Sequence, residues 1–288
     1  MKHWLFLIAC LPVWANGIEV RDDADRLIKL TQPARRIVSL SPHATELLYA
    51  IGAADKLVGR DGASDYPAAA KRLPAVGQYG AFNVEAIVAL RPDLVVAWEG
   101  PQAGPATKRL RELGIAVFAS QPGSVAAIGS SLRGLGQLSG QGSQAEAAAQ
   151  AFEQGWRALE QRYRQARPLQ VVTQVGDEPA MTVNDKQFVA AVLRSCGTRN
   201  PFGGEPAAIP LLSAEALLAA KPDAVVALAE ASTAQQWFAR WRGLPFRPAY
   251  LAVEPDSLGR PGLRVLPAAV ALCKRLDALR RATPTKID

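Results

Sequence analysis

Histidine, methionine and cysteine are scarce in this chain: two, two and three among 288 residues. One histidine, His43, lies beyond the first few residues, so a zinc or manganese cage of the histidine-rich kind is excluded. No His/Cys set is present to hold a cluster or build a catalytic triad. A Gly-rich phosphate loop and a Gly-x-Ser-x-Gly nucleophile elbow are missing as well. After the first residues no stretch approaches the 18 or so apolar positions that a spanning helix needs. The net charge of +7 raises the question of nucleic acid, yet Arg35-Arg36, Arg240, Arg242, Arg247 and the run Lys274–Arg281 are dispersed. No nucleic-acid motif accompanies them, and a solvated basic surface is expected.

What is present is ordinary globular composition, 49% hydrophobic and 20% charged, long enough for two domains. The opening MKHWLFLIACLPVWANG has a positive residue, a short apolar run and the small-residue pattern Val13-Trp14-Ala15, which predicts a signal peptide cut after Ala15. Leu7-Ile8-Ala9-Cys10 also resembles a lipoprotein box, the alternative being a lipid anchor on Cys10. Export leaves Cys196 and Cys273, an even pair in an oxidising compartment. A disulfide is expected between them; two separate buried thiols are the other reading.

The strongest internal signal is a repetition. Asn83 to Trp98 reads NVEAIVALRPDLVVAW and Ser213 to Leu228 reads SAEALLAAKPDAVVAL, with eight identities in sixteen positions. Each copy runs from a capping residue through Glu85 or Glu215, an apolar helical turn and a basic-Pro-Asp turn into a strand of branched residues. Two copies of one unit predict two similar α/β lobes with matched acidic points. Around them, Arg36–Leu40 reads as a buried strand, Ser41–Glu46 opens a helix with proline early, and strands alternate with helices, the rhythm of a parallel sheet. Residues 143 to 165 contain no proline and one glycine, Gly155. They predict one helix roughly 35 Å long, with Ala148, Phe152, Trp156, Leu159 and Tyr163 on one stripe. The expected organisation is a signal peptide over 1–15, a first α/β lobe over 34–142, a connecting helix over 143–166 and a second α/β lobe over 167–282.

Five segments occur in order: RIVSLSPHATELLYAIGA from Arg36, SDYP from Ser64, the unit from Asn83, Cys196-Gly197, and DSLGRPGLR from Asp256. Together they resemble the class III periplasmic substrate-binding proteins, whose lobes are joined by one rigid helix. Within that class the likeness is greatest to the cobalamin-binding branch that serves ABC importers, and it spans about residue 35 to residue 280. The resemblance implies a ligand cleft between two Rossmann-like lobes, a common place for pockets. Carried over, the ligand residues are Pro42, His43, Tyr79 and Trp98 from the first lobe, with Phe82 beside Tyr79. Met181, Ile209, Asp256 and Arg260 come from the second.

A corrinoid suits such a set: aromatic faces cover its plate, while a carboxylate and a guanidinium bond its rim amides. Where that branch carries tryptophan, tyrosine, phenylalanine and tryptophan, this chain has Tyr79, Ala63, Met181 and Ile209. A wider, less aromatic pocket is therefore expected, and haem or a ferric siderophore stands as the alternative ligand. An enzyme with an inter-lobe active site is a third reading, for which no spacing speaks. No cofactor is implied besides cobalamin as cargo. The resemblance further implies that Glu85 and Glu215 meet arginines on the two halves of a permease dimer, the binding protein itself acting as a monomer. Simple complementarity to the helix dipole is the bland reading of both glutamates. His43 reads equally as a ligand contact or a rim residue, Arg260 as a ligand group or a structural partner of Asp256, and Trp237 and Trp241 as core.

Overall fold

The computed structural model describes residues 17–78, 81–99 and 103–282. The cleavage expected after Ala15, the anchor at Cys10 and the contact at Tyr79 lie outside those residues. The chain opens on a hairpin, β1 (Ile18–Arg21) with β2 (Leu27–Leu30). The first lobe follows as β3 (Ile37–Ser39), α1 (Pro42–Ala50), β4 (Leu57–Arg60) and a short ladder of β5 (Gly77–Gln78) and β6 (Ala81–Phe82). It is completed by α2 (Val84–Ala89), β7 (Leu94–Ala97), α3 (Gly104–Glu112), β8 (Ala116–Ala119) and α4 (Val125–Ser139). Its parallel sheet is ordered β4-β3-β7-β8. Helices cover both faces, so β7 is buried at every position and reads as an unbroken apolar run.

Helix α5 (Gly142–Tyr163) leads to the second lobe. There β9 (Leu169–Gln174), the ladder β10 (Gly176–Asp177) and β11 (Ala180–Met181), α6 (Phe188–Ser195) and β12 (Thr198–Arg199) come first. Next are α7 (Ala214–Ala220), β13 (Ala224–Leu228), α8 (Ala231–Ala239), β14 (Ala249–Val253), α9 (Pro255–Gly259) and α10 (Val265–Ala282). The sheet order β12-β9-β13-β14 repeats that of the first lobe strand for strand. The fold is α/β: two lobes on parallel sheets, with one long helix between them.

Phe152, Trp156, Leu159 and Tyr163 are buried along one side of α5, and the core cluster they join contains residues of both lobes. At about 1.5–3 kcal/mol for each large side chain withdrawn from water, this stripe fixes α5 firmly. Two glycines let helices approach it. A Cβ on Gly136 of α4 would sit 2.2 Å from that of Ala145, and one on Gly155 would sit 2.6 Å from Leu266 Cδ2 of α10. The disulfide links Cys196, at the end of α6, to Cys273 of α10, both fully buried. Trp241 is buried and its indole N–H donates to Gln174 Oε1 at 3.0 Å; it lies just past α8, whereas Trp237 is half-buried on that helix.

The repeated unit folds the same way twice. Asn83 Oδ1 and Ser213 Oγ each accept from a backbone N–H three residues on, at 2.8 and 3.2 Å. Arg91 and Lys221 both take positive φ, 48° and 41°. The aspartates that follow stitch their strand to the neighbouring one. Asp93 accepts from the N–H groups of Arg35 and Arg36, and Asp223 from that of Gln170.

Candidate functional site

In parallel sheets, loops at the carboxyl ends of strands are where ligand groups collect. Here β3 runs into α1 with Pro42 and His43, β4 into Asp61–Tyr66, β7 into Trp98 and β8 into Ser120. In the second lobe β9 runs into the hairpin bearing Met181, and β14 into α9 with Asp256 and, at its end, Arg260. Of the described ligand candidates, Pro42, His43, Trp98, Met181, Asp256 and Arg260 therefore come after strand ends of the two sheets, whereas Phe82 lies within β6.

Trp98 is 49% exposed, unusual for so large an apolar ring, yet it is held from behind. The His43 ring meets it edge-on at 5.6 Å between centroids. The next residue, Glu99, is gripped by Arg26 and Arg111, and its carbonyl accepts from the Gln121 side chain. The Asp22–Arg26 turn is itself anchored, because buried Asp22 accepts from the N–H groups of Ala24, Arg26 and Ala119. Asp23 accepts from Gln121 N–H and Ser131 Oγ; burial nevertheless pushes its carboxyl up from the usual range. The leader hairpin thus braces the aromatic wall.

His43 corrects an expectation. It is 1% exposed, and its Nε2 lies 3.0 Å from both the carbonyl and the hydroxyl oxygen of Ser120. A carbonyl only accepts, so Nε2 carries the proton. Burial, with nearby Arg260 acting in the same sense, lowers its pKa to about 4, although the Ser120 bond opposes this. His43 is a buried, neutral prop behind Trp98 rather than a residue of an open edge. Pro42, its neighbour at the start of α1, is half-buried.

The second lobe carries exposed apolar residues. Met181 is half-buried, Ile209 is 51% exposed and Leu211 is 69% exposed. A bridge between Met181 and Leu211, with Thr182 N–H donating to Pro210 O, makes these one surface. Leu211 and Tyr66, the latter 47% exposed, were not expected at the site. Tyr66 stood in the SDYP segment with nothing local to mark it. Phe82 is half-buried and packs against the outer core of the first lobe.

The lobes are tied by a cluster of charges. Arg260 Nη1 donates to Glu46 Oε1 at 3.3 Å and Asp65 Oδ1 at 2.8 Å, while Nη2 reaches Asp256 Oδ2 at 2.5 Å. Arg264 holds Glu46 with two bonds, 2.9 Å to Oε2 and 2.7 Å to Oε1, and lies 4.4 Å over the Tyr66 ring. Arg260 pairs with Asp256, as its structural reading expected, and also reaches Glu46 and Asp65 of the first lobe. Glu46, expected to serve the start of α1, is the fifth helical residue and is buried against two arginines. The Arg260 bond holds the Asp65 carboxyl below its ordinary range, whereas burial pushes Asp256 up. Beneath the cluster, Thr45 Oγ1 bonds the hydroxyls of Ser39 and Ser64, and Ser64 donates to buried Asp61, whose carboxyl burial raises.

Glu85 and Glu215 are exposed near the starts of their helices, and neither joins the cluster. A bond from its own backbone N–H, then one with Ser213, lowers the Glu215 carboxyl. A cavity of about 770 Å³ lies against α5, lined by Trp156, Arg157, Glu160 and Arg194 among others; no expected ligand residue borders it. Among the described residues no group of three or more His, Cys, Asp and Glu is arranged to hold a metal ion, and no helix is long and apolar enough to cross a membrane.

Residues 37–245 match the family of sequences described as periplasmic binding protein. The chain is 36% identical over 248 residues to the vitamin B12-binding protein of Yersinia pestis (strain Pestoides F), covering 86% of this chain and 88% of that one. The crystal structure of the periplasmic vitamin B12 binding protein BtuF of Vibrio cholerae superposes with a TM-score of 0.77 at 29% identity, covering 86% of this chain and 99% of that one. A periplasmic heme binding protein from Pseudomonas aeruginosa superposes at 0.73 with 30% identity, covering 84% and 92%.

Proposed function

The chain belongs to the periplasmic binding protein family, and we propose that it captures cobalamin or a close corrinoid between its lobes and passes it to an ABC importer. The observations that carry this reading are the braced, half-exposed Trp98 on one lobe, the apolar Met181–Leu211 surface on the other, and the polar groups Asp256 and Arg260 in the cluster that joins the lobes. An aromatic face and apolar side chains suit a broad macrocycle, and charged acceptors and donors suit its carboxamide rim. The curated relative named for vitamin B12 supports the same ligand. The likeness to a haem-binding structure supports haem as the second reading. Pro42, Phe82 and the undescribed Tyr79 complete the proposed ligand set.

The protein acts in the periplasm, as a monomer and without a catalytic step. Glu85 and Glu215 are its docking points for the two halves of the permease; their exposure and their matched positions in the repeat support that role. Titrating the purified protein with cyanocobalamin, followed by corrin absorbance after gel filtration, tests the ligand. Stoichiometric co-elution is expected, and Trp98→Ala should weaken it by about tenfold, the loss of one stacking face. Failure to co-elute discards the corrinoid. Glu85→Lys with Glu215→Lys should retain binding yet abolish uptake through the importer; a matching fall in binding discards the docking role.

A further inference from the structure

The charge cluster bears on which rim chemistry the site accepts, an inference that rests on the corrinoid reading. Three carboxylates, Glu46, Asp65 and Asp256, face two guanidiniums, Arg260 and Arg264. The flanking charges balance: Arg60 acts on buried Asp61, and Lys71, which acts on Asp65, is offset by Glu254, which acts on Asp256. One negative charge is left in excess.

Most of the donors are also committed to these carboxylates. The two terminal nitrogens of Arg260 carry four N–H groups, and these face four oxygens: Glu46 Oε1, Asp65 Oδ1, Asp256 Oδ2 and, at 3.5 Å, the Ala63 carbonyl. Arg264 commits two nitrogens to Glu46, and the Tyr66 ring covers one face of its guanidinium. An incoming carboxylate would meet a site already negative. An incoming carboxamide would find acceptors, because Asp65 and Asp256 each have oxygen lone pairs to spare and are 49% and 39% exposed.

We propose that Asp65, with Glu46 and Asp256, is a specificity filter that admits a macrocycle rimmed with carboxamides and rejects one rimmed with carboxylates, such as haem or a hydrolysed corrinoid. Asp65 is the member from the first lobe that is open to solvent, so it sets the discrimination from the side that a ligand approaches.

The test compares cyanocobalamin with its monocarboxylic acids, in which hydrolysis has turned one rim carboxamide into a carboxylate. The isomers are titrated separately into the full protein and into Asp65→Asn, with haemin in parallel. At least one acid isomer should bind the unaltered protein about tenfold more weakly than cyanocobalamin, the size expected of one partly screened like-charge contact. Asp65→Asn should narrow that ratio to about threefold or less and strengthen haemin binding by a similar factor. Since Asp65 is half exposed, the asparagine variant should fold, and matching circular dichroism spectra check it. Equal affinity for amide and acid, or a ratio that Asp65→Asn leaves unaltered, overturns the filter while the corrinoid reading stands. Haemin bound more tightly than cyanocobalamin by the unaltered protein overturns both.

Discussion

The two copies of the repeated unit share a scaffold and part at its last residue. Where the first copy ends in Trp98, the second ends in Leu228. Trp98 stands half exposed, whereas Leu228 packs against the common core. Cap, positive-φ turn, aspartate stitch and strand are the same in both. The lobes thus share this framework and differ in the residues at and beyond each strand end. The lobes are also secured differently. The second is tied by a buried disulfide and supplies Arg260 and Arg264; the first is braced by its leader hairpin and props its aromatic wall with a buried histidine.

These differences give the lobes separate weaknesses. Replacing Cys196 and Cys273 by alanine opens a loop with a sequence separation of 77 residues. It should cost about 4 kcal/mol in urea unfolding on the chain-entropy account. Hydrogen exchange should show the second lobe losing protection first; an equal loss in both lobes would break the contrast. Acid should instead strike the first lobe. The pKa of His43 is lowered to about 4 in the fold from its ordinary 6.5, so the unfolded chain takes up the proton first as pH falls. No penalty from this group arises above about pH 6.5; it grows as pH drops below that value and reaches about 3 kcal/mol near pH 4. His43→Gln, which can still donate to Ser120, should flatten that part of the stability curve. An unchanged curve would mean that the imidazole is solvated.

The smallest contrast is between the stitches. Asp93 accepts from two backbone N–H groups and Asp223 from one. Asp93→Ala should cost about 2 kcal/mol and Asp223→Ala about 1, at net hydrogen-bond values. Equal costs would show that the strand pairing, rather than the carboxylate, holds the junction.

The sequence displayed the architecture because strands, helices and the repeat leave local periods: the apolar run of β7, the stripe Phe152–Trp156–Leu159–Tyr163, and the basic-Pro-Asp turns. It displayed the site poorly, because the site's defining contacts are distant in sequence. Arg260 meets Asp65 across 195 positions and Glu46 across 214, and an ion pair imposes no pattern on either segment. Glu46 looked like a helix-start acid since helix starts favour acids, and its burial comes from the other lobe. His43 looked reachable since proline-led helix starts commonly sit at edges, and Ser120 and Trp98, far along the chain, enclose it.

One consequence concerns boundaries. The stretch shared with the family begins at residue 37 and ends at residue 245. Arg26, which steadies the wall through Glu99, lies before it, and β14, Asp256, Arg260 and Arg264 lie after it. A fragment trimmed to the shared stretch would keep the first sheet and three strands of the second, yet lose the footing of its tryptophan, Asp256 and both guanidiniums of the charge cluster. The charge cluster that joins the lobes is complete only with residues outside the shared stretch.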